Sequence, residues 1–410
     1  MNIRSKLRNT FPALYHRNFQ YFWFGQCISL IGTWMQNTGQ SWLVLTLTNS
    51  PFLLGLVNAL QFTPVLIFSL FSGVIIDRFS KKKILLFTQS AFAILALTLT
   101  LLVCTGKTKY WHVLILATLL GCISTIDMPT RQSFMIELVG KEDLMNAISL
   151  NSVVFNGAKI IGPAVSGIFI NYFGMTLCFL INALSFIPVI YGITKIQVIE
   201  KKPSKKSDLT ILSDIKDGLI YIKNKKILIN VAFLAAVVSA FLMNFNVMIP
   251  LLSKDVLQKG SKEYGFLMSL MGLGSFIGAL VQVMKSKKGP KKILLYISSI
   301  SGSLILILVG LNKNIILDGI LLLLVGFFNI CFCTTANSEM QLNSSDEYRG
   351  RVMSVYSLVF GGLTPIGSLF SGILSNNIGV LPTFITSGVI TLVFVFFIKY
   401  KNREKEYLLK

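Results

Sequence analysis

The chain has 410 residues, of which 53% are hydrophobic and 13% charged, with a formal net charge of +21 and a mean hydropathy of +0.69. A soluble domain carries roughly 25% charged residues, so composition excludes a water-solvated globular protein. The absence of period-two alternation argues against an outer-membrane barrel. The basic residues fall in short gaps between apolar runs, which is the pattern of a membrane topology signal and not of a nucleic-acid-binding surface.

Backbone polar groups in lipid must be satisfied internally, so apolar runs of about 20 residues read as spanning helices. The first 18 residues are basic and polar, and the apolar run behind them is too long for a cleavable signal peptide. Gly, Pro, Asn and Ser punctuation then predicts twelve spans: 18–47, 51–76, 82–105, 110–132, 144–170, 173–194, 226–252, 262–284, 291–311, 315–338, 350–375 and 379–399. The lysine-rich stretch after span six divides the chain near its midpoint. The expected organisation is therefore an N-terminal six-helix half over 1–194, a cytoplasmic linker over 195–225 and a C-terminal six-helix half over 226–410. With both termini placed in the cytoplasm, the inside segments hold 31 Lys and Arg and the outside loops six. The remaining one, Lys159, falls inside span five. That bias predicts a multi-pass protein of the cell membrane with both ends cytoplasmic. The six cysteines lie in apolar runs without metal-ligand spacing and read as small buried residues.

Span one carries a polar stripe. Gln26, Ser29, Thr33, Gln36, Asn37 and Gln40 fall on one helical face, and lipid would penalise exposed amides there. Asn58 and Gln61 in span two, Asn244 in span seven, and Asn329 and Asn337 in span ten either line the same cavity or hydrogen-bond between helices. Lys159 lies roughly 20 Å deep at 1.5 Å per residue. An intramembrane lysine costs about 2.5–3.5 kcal/mol on insertion scales and marks a partner or a pathway. It either faces a cavity holding an anionic substrate or counter-charge, or snorkels outward. Asp127, Asp318 and Glu339, among the acids in or bordering spans, all sit near helix ends, so no mid-membrane carboxylate relay is visible.

Offsetting the chain by 205 residues aligns "SLNSVVFNGAKIIGPAVSGIFINYFG" (149–174) without gaps to "SVYSLVFGGLTPIGSLFSGILSNNIG" (354–379), with 12 of 26 positions identical. A weaker echo pairs "KKILL" at 82–86 with 291–295. Two six-helix halves related by a parallel repeat are the architecture of major facilitator transporters. "GVIIDRFSKKK" resembles that superfamily's loop motif between spans two and three: Gly73, Asp77, Arg78, Lys81 and Lys82 match, with Ser80 where glycine is usual. "GTWMQNTGQSWLVLTLTNSP", "DMPTRQSFMIELVGKEDLMNAISLNS", "IGPAVSG" and "YRGRVMSVYSL" resemble the enterobactin-exporter-like branch, which also includes macrolide and other drug exporters.

The resemblance implies a conformational latch. In that architecture Asp77 can accept backbone N–H bonds from the start of span eleven near Gly350 and Arg351, while Asp127 and Arg131 pair with Lys81 or Lys82 and Asp77. In span five, Gly157, Gly162, Pro163 and Gly167 resemble the Gly-Pro motif of antiporters, without its terminal glycine pair. Those glycines permit close helix approach, and Pro163 is expected to bend the helix. The function expected from the resemblance is secondary-active export of an amphipathic small molecule by alternating access. Protons are the implied coupling ion; no cofactor, metal or nucleic acid is expected, and a monomer in the bilayer is. An importer of the same fold, or a lipid or lysolipid flippase, is the alternative. An enzyme is not expected: there is no phosphate-binding glycine loop, and His16 and His112 lie near membrane edges.

Overall fold

A computed structural model describes residues 10–197, 211–285, 292–345 and 347–407; linker residues 198–210 lie outside it. Among the described residues every regular element is helical. The helices are α1 (Arg17–Thr48), α2 (Pro51–Arg78), α3 (Lys81–Cys104), α4 (Tyr110–Val139), α5 (Leu144–Phe173) and α6 (Met175–Lys195). After the linker helix α7 (Ile211–Asn224) come α8 (Lys226–Phe241), α9 (Phe245–Leu251), α10 (Ser261–Lys285), α11 (Ile293–Gly310) and α12 (Ile315–Leu342). The last three are α13 (Arg349–Gly362), α14 (Thr364–Ile378) and α15 (Val380–Tyr407). Among the described residues, eleven helical segments are long and apolar enough to cross a membrane, α8–α9 and α13–α14 each counting once. The 32-residue α1 stands outside that group because its polar stripe lowers its hydropathy.

Local chemistry explains the boundaries. Asn49 ends α1 in the left-handed conformation, φ 50°, with its N–H bonded to Leu45 O. Ser50 then caps α2 by accepting from Leu53 N, with Pro51 at the first helical position. Gly174 and Gly379, partners in the repeat, end α5 and α14 at φ 81° and 92°, backbone that L-residues with a Cβ rarely adopt.

Two expected spans are broken. Span seven stops at Phe241, restarts at Phe245, and finishes in a π turn over Leu252–Val256. Asn244 sits at the break and donates from Nδ2 to Ala240 O at 2.7 Å, covering a carbonyl near the interrupted end of the ladder. Span eleven breaks at Leu363, with Pro365 in the first turn of α14. By contrast α5 runs unbroken through Pro163. Since proline has no N–H, Lys159 O loses its helical donor there.

The N-terminal set, α1–α6, packs α1 against α5 and α6, α2 against α4, and α3 against α4 and α6. In the C-terminal set, α10 packs on α12, and α11 on α12 and α15. Phe87, Ile94 and Leu101 form an exposed stripe along α3 at i, i+7 and i+14, as a lipid-facing surface requires. The sets meet along two long seams, α5 with α10 and α2 with α14.

Candidate substrate cavity and seams

The polar stripe of α1 becomes one wall of a cavity of about 240 Å³ inside the N-terminal set. Gln26, Thr33, Gln36 and Asn37 face Ser124, Asp127, Arg131 and Gln132 of α4, Asn151 of α5 and Asn182 of α6. Phe92, Phe155, Phe186, Met128 and Met135 supply aromatic and flexible apolar walls, a composition suited to amphipathic ligands.

Asp127 organises the polar side. One oxygen accepts from Thr88 Oγ1 at 2.6 Å and Gln89 Nε2 at 2.7 Å, and the other from Arg131 Nε at 2.5 Å. Arg131 Nη1 in turn donates to Gln26 Oε1. The carboxylate is thus held by three donors, and the guanidinium by two acceptors. Asn182 Nδ2 donates to Gln36 Oε1 at 2.5 Å. Buried Gln26 Nε2 and Gln89 Oε1 have no partner among the described residues, which leaves donor and acceptor capacity beside the cavity.

Several residues expected to share this cavity do not line it. Gln40 Nε2 donates to Gln61 Oε1 at 3.0 Å, so each amide occupies the other between α1 and α2. Asn58 returns to Leu54 O at 3.1 Å and Asn244 to Ala240 O, each four residues back on the chain. Asn329 accepts from Cys333 Sγ at 3.3 Å and Asn337 from Gln341 Nε2 at 2.6 Å, both within α12. Lys159 also lies elsewhere. Its Nζ stands 3.4 Å from Ser275 Oγ of α10, across the seam.

The side chains of Gly73 and Asp77 lie outside the described residues, and Arg78 is exposed. The expected pairing of Asp127 with Lys81 or Lys82 is not formed, because nearer acceptors take both lysines. Lys81 pairs with Glu137 at 2.6 Å, and Lys82 donates to Thr194 O at 3.1 Å and Ile196 O at 2.7 Å. These contacts tie the start of α3 to α4 and α6 within one set. Arg351 of α13 instead faces Asp217 of the linker helix at 3.5 Å, and the space a Cβ would fill at Gly350 is open. The linker helix docks on the C-terminal set. Tyr221 stacks on Tyr348 with centroids 4.5 Å apart, and Lys225 lies over the Tyr221 ring and donates to Asn343 O at 3.2 Å.

The seams are asymmetric along their length. Towards the Asn49 end they are closed by glycine pairs: a Cβ on Gly167 would lie 3.0 Å from Gly265 Cα, and one on Gly55 3.0 Å from Gly372 Cα. Gly167 and Gly372 are partners in the repeat, so the two seams are the same device used twice. Lys254 Nζ donates to Leu45 O at 2.7 Å and Asn49 Oδ1 at 2.6 Å, and Trp42 stacks on Tyr264 at 5.8 Å, joining the sets at this end. Towards the Lys81 end such contacts are lacking at three glycines: Cβ positions at Gly157 of α5, and Gly350 and Gly361 of α13, meet nothing within 4 Å. Gly162 packs within the N-terminal set, where its Cβ would strike Trp34.

Asn182, Gln132, Asn151 and the Lys254–Asn49 contact were not singled out by sequence. Asn182 carried a usable signal, an amide in the middle of an apolar span.

Sets of helices related by a repeat and joined along two glycine seams are the fold of major facilitator transporters. The solved POT family transporter PepTSo superimposes with a TM-score of 0.77 at 12% identity, covering 96% of this chain and 99% of that one. Residues 8–407 match the family profile described as transmembrane secretion effector, and the chain belongs to that family of major facilitator membrane transporters. It is 26% identical over 393 residues to the staphyloferrin A transporter of Staphylococcus aureus, covering 94% of this chain and 96% of that protein. It is 22% identical over 387 residues to macrolide efflux protein A of Streptococcus pyogenes, covering 91% and 93%.

Proposed function

We propose that this protein exports an amphipathic small molecule across the cell membrane by alternating access of two six-helix halves, 1–194 and 226–410, carried by twelve spans with both termini cytoplasmic. The observation that carries the reading is the pairing of an aromatic-walled polar cavity with seams shut by glycine contacts at the Asn49 end. The positive-inside count supports a cytoplasmic Lys81 end, and the open glycine positions there support helices parted on that side, an inward-facing arrangement ready to load from inside. Export as the direction is supported by the relatives named for siderophore transport and macrolide efflux.

In the opposite state the latch forms. Asp77 meets the first turn of α13 at Gly350 and Arg351, while Gly73, Arg78, Lys81 and Lys82 hold the loop against the N-terminal half. Pro163 and Gly167 form the face on which the halves rock, while Gly157 faces open space and Gly162 packs inside the N-terminal set. Proton antiport is the coupling that the family resemblance implies. The working unit is a monomer in the bilayer.

A second reading has one observation in its favour. A groove of about 670 Å³ between Leu66 of α2, Phe233 of α8 and Val359 of α13 is lined almost wholly by apolar residues, with Lys223 at its rim. A lipid-like substrate entering sideways suits that surface.

Energised inverted vesicles separate these readings. Export predicts proton-gradient-dependent accumulation of a labelled macrolide or siderophore, abolished by a protonophore. Accumulation only in right-side-out vesicles reverses the direction. Translocation of labelled lysolipid alone replaces export of soluble compounds by lipid transfer.

A further inference from the structure

The cavity beside α1 carries charge only as one compensated pair. Among the described residues that line it, the charged side chains are Asp127 and Arg131, and they face each other at 2.5 Å. Both Asp127 oxygens already accept hydrogen bonds, from Thr88, Gln89 and Arg131, so the protein itself occupies the carboxylate. What a visiting anion would gain from the guanidinium, the adjoining carboxylate takes back, and the reverse holds for a visiting cation. Either ion would leave water for a wall with no counter-charge to spare.

Hydrogen-bond donors, by contrast, are in surplus. Gln26 is 2% exposed; its Oε1 accepts from Arg131 Nη1, and its Nε2 is buried without a partner among the described residues. A guanidinium has five N–H groups, and the described bonds of Arg131 use one at Nε and one at Nη1. The Gln26 amide and the remaining guanidinium N–H groups are therefore neighbours, linked by their own hydrogen bond. A buried donor left unmade costs free energy that a ligand oxygen would return. Phe92 and Phe186, on the same wall, stack with centroids 5.8 Å apart and offer a platform to a ring or an alkyl chain.

We propose that this cavity selects uncharged substrates and takes a carbonyl oxygen, as in an amide or ester, on Gln26 Nε2 and the free N–H groups of Arg131. This rests on the transport reading and adds a substrate class to it: neutral amphipathic molecules with a carbonyl at one end and an apolar body. At about 240 Å³ the space lies below the roughly 300–1,000 Å³ of most small-molecule pockets. It therefore holds one end of such a molecule, with the body against the Phe92–Phe186 stack.

Ser124, also on the cavity wall, supplies a reporter that needs no transport measurement. Purified full-length protein carrying Ser124→Cys is alkylated with N-ethylmaleimide, and modification at position 124 is followed by mass spectrometry. Four probes are compared: 4-phenylbutanamide, 4-phenylbutanoate, 4-phenylbutylamine and butylbenzene. The first two share one shape and differ in charge. Phenylbutanamide is expected to protect position 124 at concentrations roughly tenfold or more below the other three, the factor of one hydrogen bond to a charged group. Gln26→Leu should remove most of its advantage over butylbenzene. Asp127→Asn leaves Arg131 uncompensated, so phenylbutanoate should become the strongest protector, a reversal that lost packing would not produce. Thermal unfolding of the unmodified chain with the same probes, where phenylbutanamide should raise the midpoint most, decides the matter even if a variant fails to fold. Protection or stabilisation by the acid or the amine equal to that by phenylbutanamide overturns the proposal. So does equal protection by butylbenzene, an unchanged order in Asp127→Asn, or a position 124 that no maleimide reaches. Accumulation of the same compounds in energised inverted vesicles keeps the two readings apart. Protection by phenylbutanamide without its accumulation leaves the site standing and counts against export; accumulation of all four alike counts against the site and leaves export standing.

Discussion

Asp127 is 4% exposed, and its two oxygens accept three side-chain donors, with Arg131 the charged one. Removing one member of a buried ion pair leaves an unpaired charge, whereas removing both removes the desolvation problem with it. Arg131→Met is therefore expected to destabilise the protein by about 3 kcal/mol, and the double variant Asp127→Leu with Arg131→Met to recover most of that loss. Thermal unfolding of the purified variants checks this; a double variant as unstable as the single one would show that packing, not charge, is being lost. The same network explains what one-dimensional reading could reach here. The stripe on α1 was legible because helical periodicity is local. Its partners Asn182 and Gln132 were not, since they arrive from α6 and α4 through packing that no spacing encodes. Lys81 shows the same limit: Glu137 stands 56 positions away and outcompetes the expected acid by proximity.

At the scale of elements, the seams decide which end of the molecule is shut. Gly55, Gly167, Gly265 and Gly372 let backbones approach to distances at which a side chain would collide. Gly372→Leu places a branched side chain against Pro51 O and Gly55 Cα, 2.9 and 3.0 Å from its Cβ, so the α2–α14 seam cannot close as it does here. The expected result is a shift towards the state open at the Asn49 end. It would be read as faster labelling of a cysteine placed at Ser368 by a reagent added from outside, with Gly361→Leu, at an open position, as the control. Equal labelling in both variants would remove the seam from the mechanism. The repeat made Gly167 and Gly372 visible in sequence as an aligned pair, while Gly55 and Gly265 lie outside the aligned stretch. The breaks at Leu242–Asn244 and Leu363 were not visible, because the helical hydrophobic pattern continues through both and only the tertiary packing of Asn244 against Gly367 resolves it.

For the whole molecule, charge placement and packing both support the proposed inward-facing arrangement. In the proposed arrangement the cation-rich end is the parted one; the linker helix is fixed to the C-terminal set through Tyr221–Tyr348 and Arg351–Asp217, so it should move with that set as one body. The central claim is that closing one end opens the other. Double electron–electron resonance in a cysteine-free background tests it most directly, with one label pair at Met145 and Met284 on the parted end and another at Lys107 and Lys313 on the shut end. Under an imposed proton gradient with a transported compound, the account predicts that the first distance shortens as the second lengthens, with the two populations changing in equal proportion. Distances that stay single and fixed at both ends while transport proceeds would contradict it.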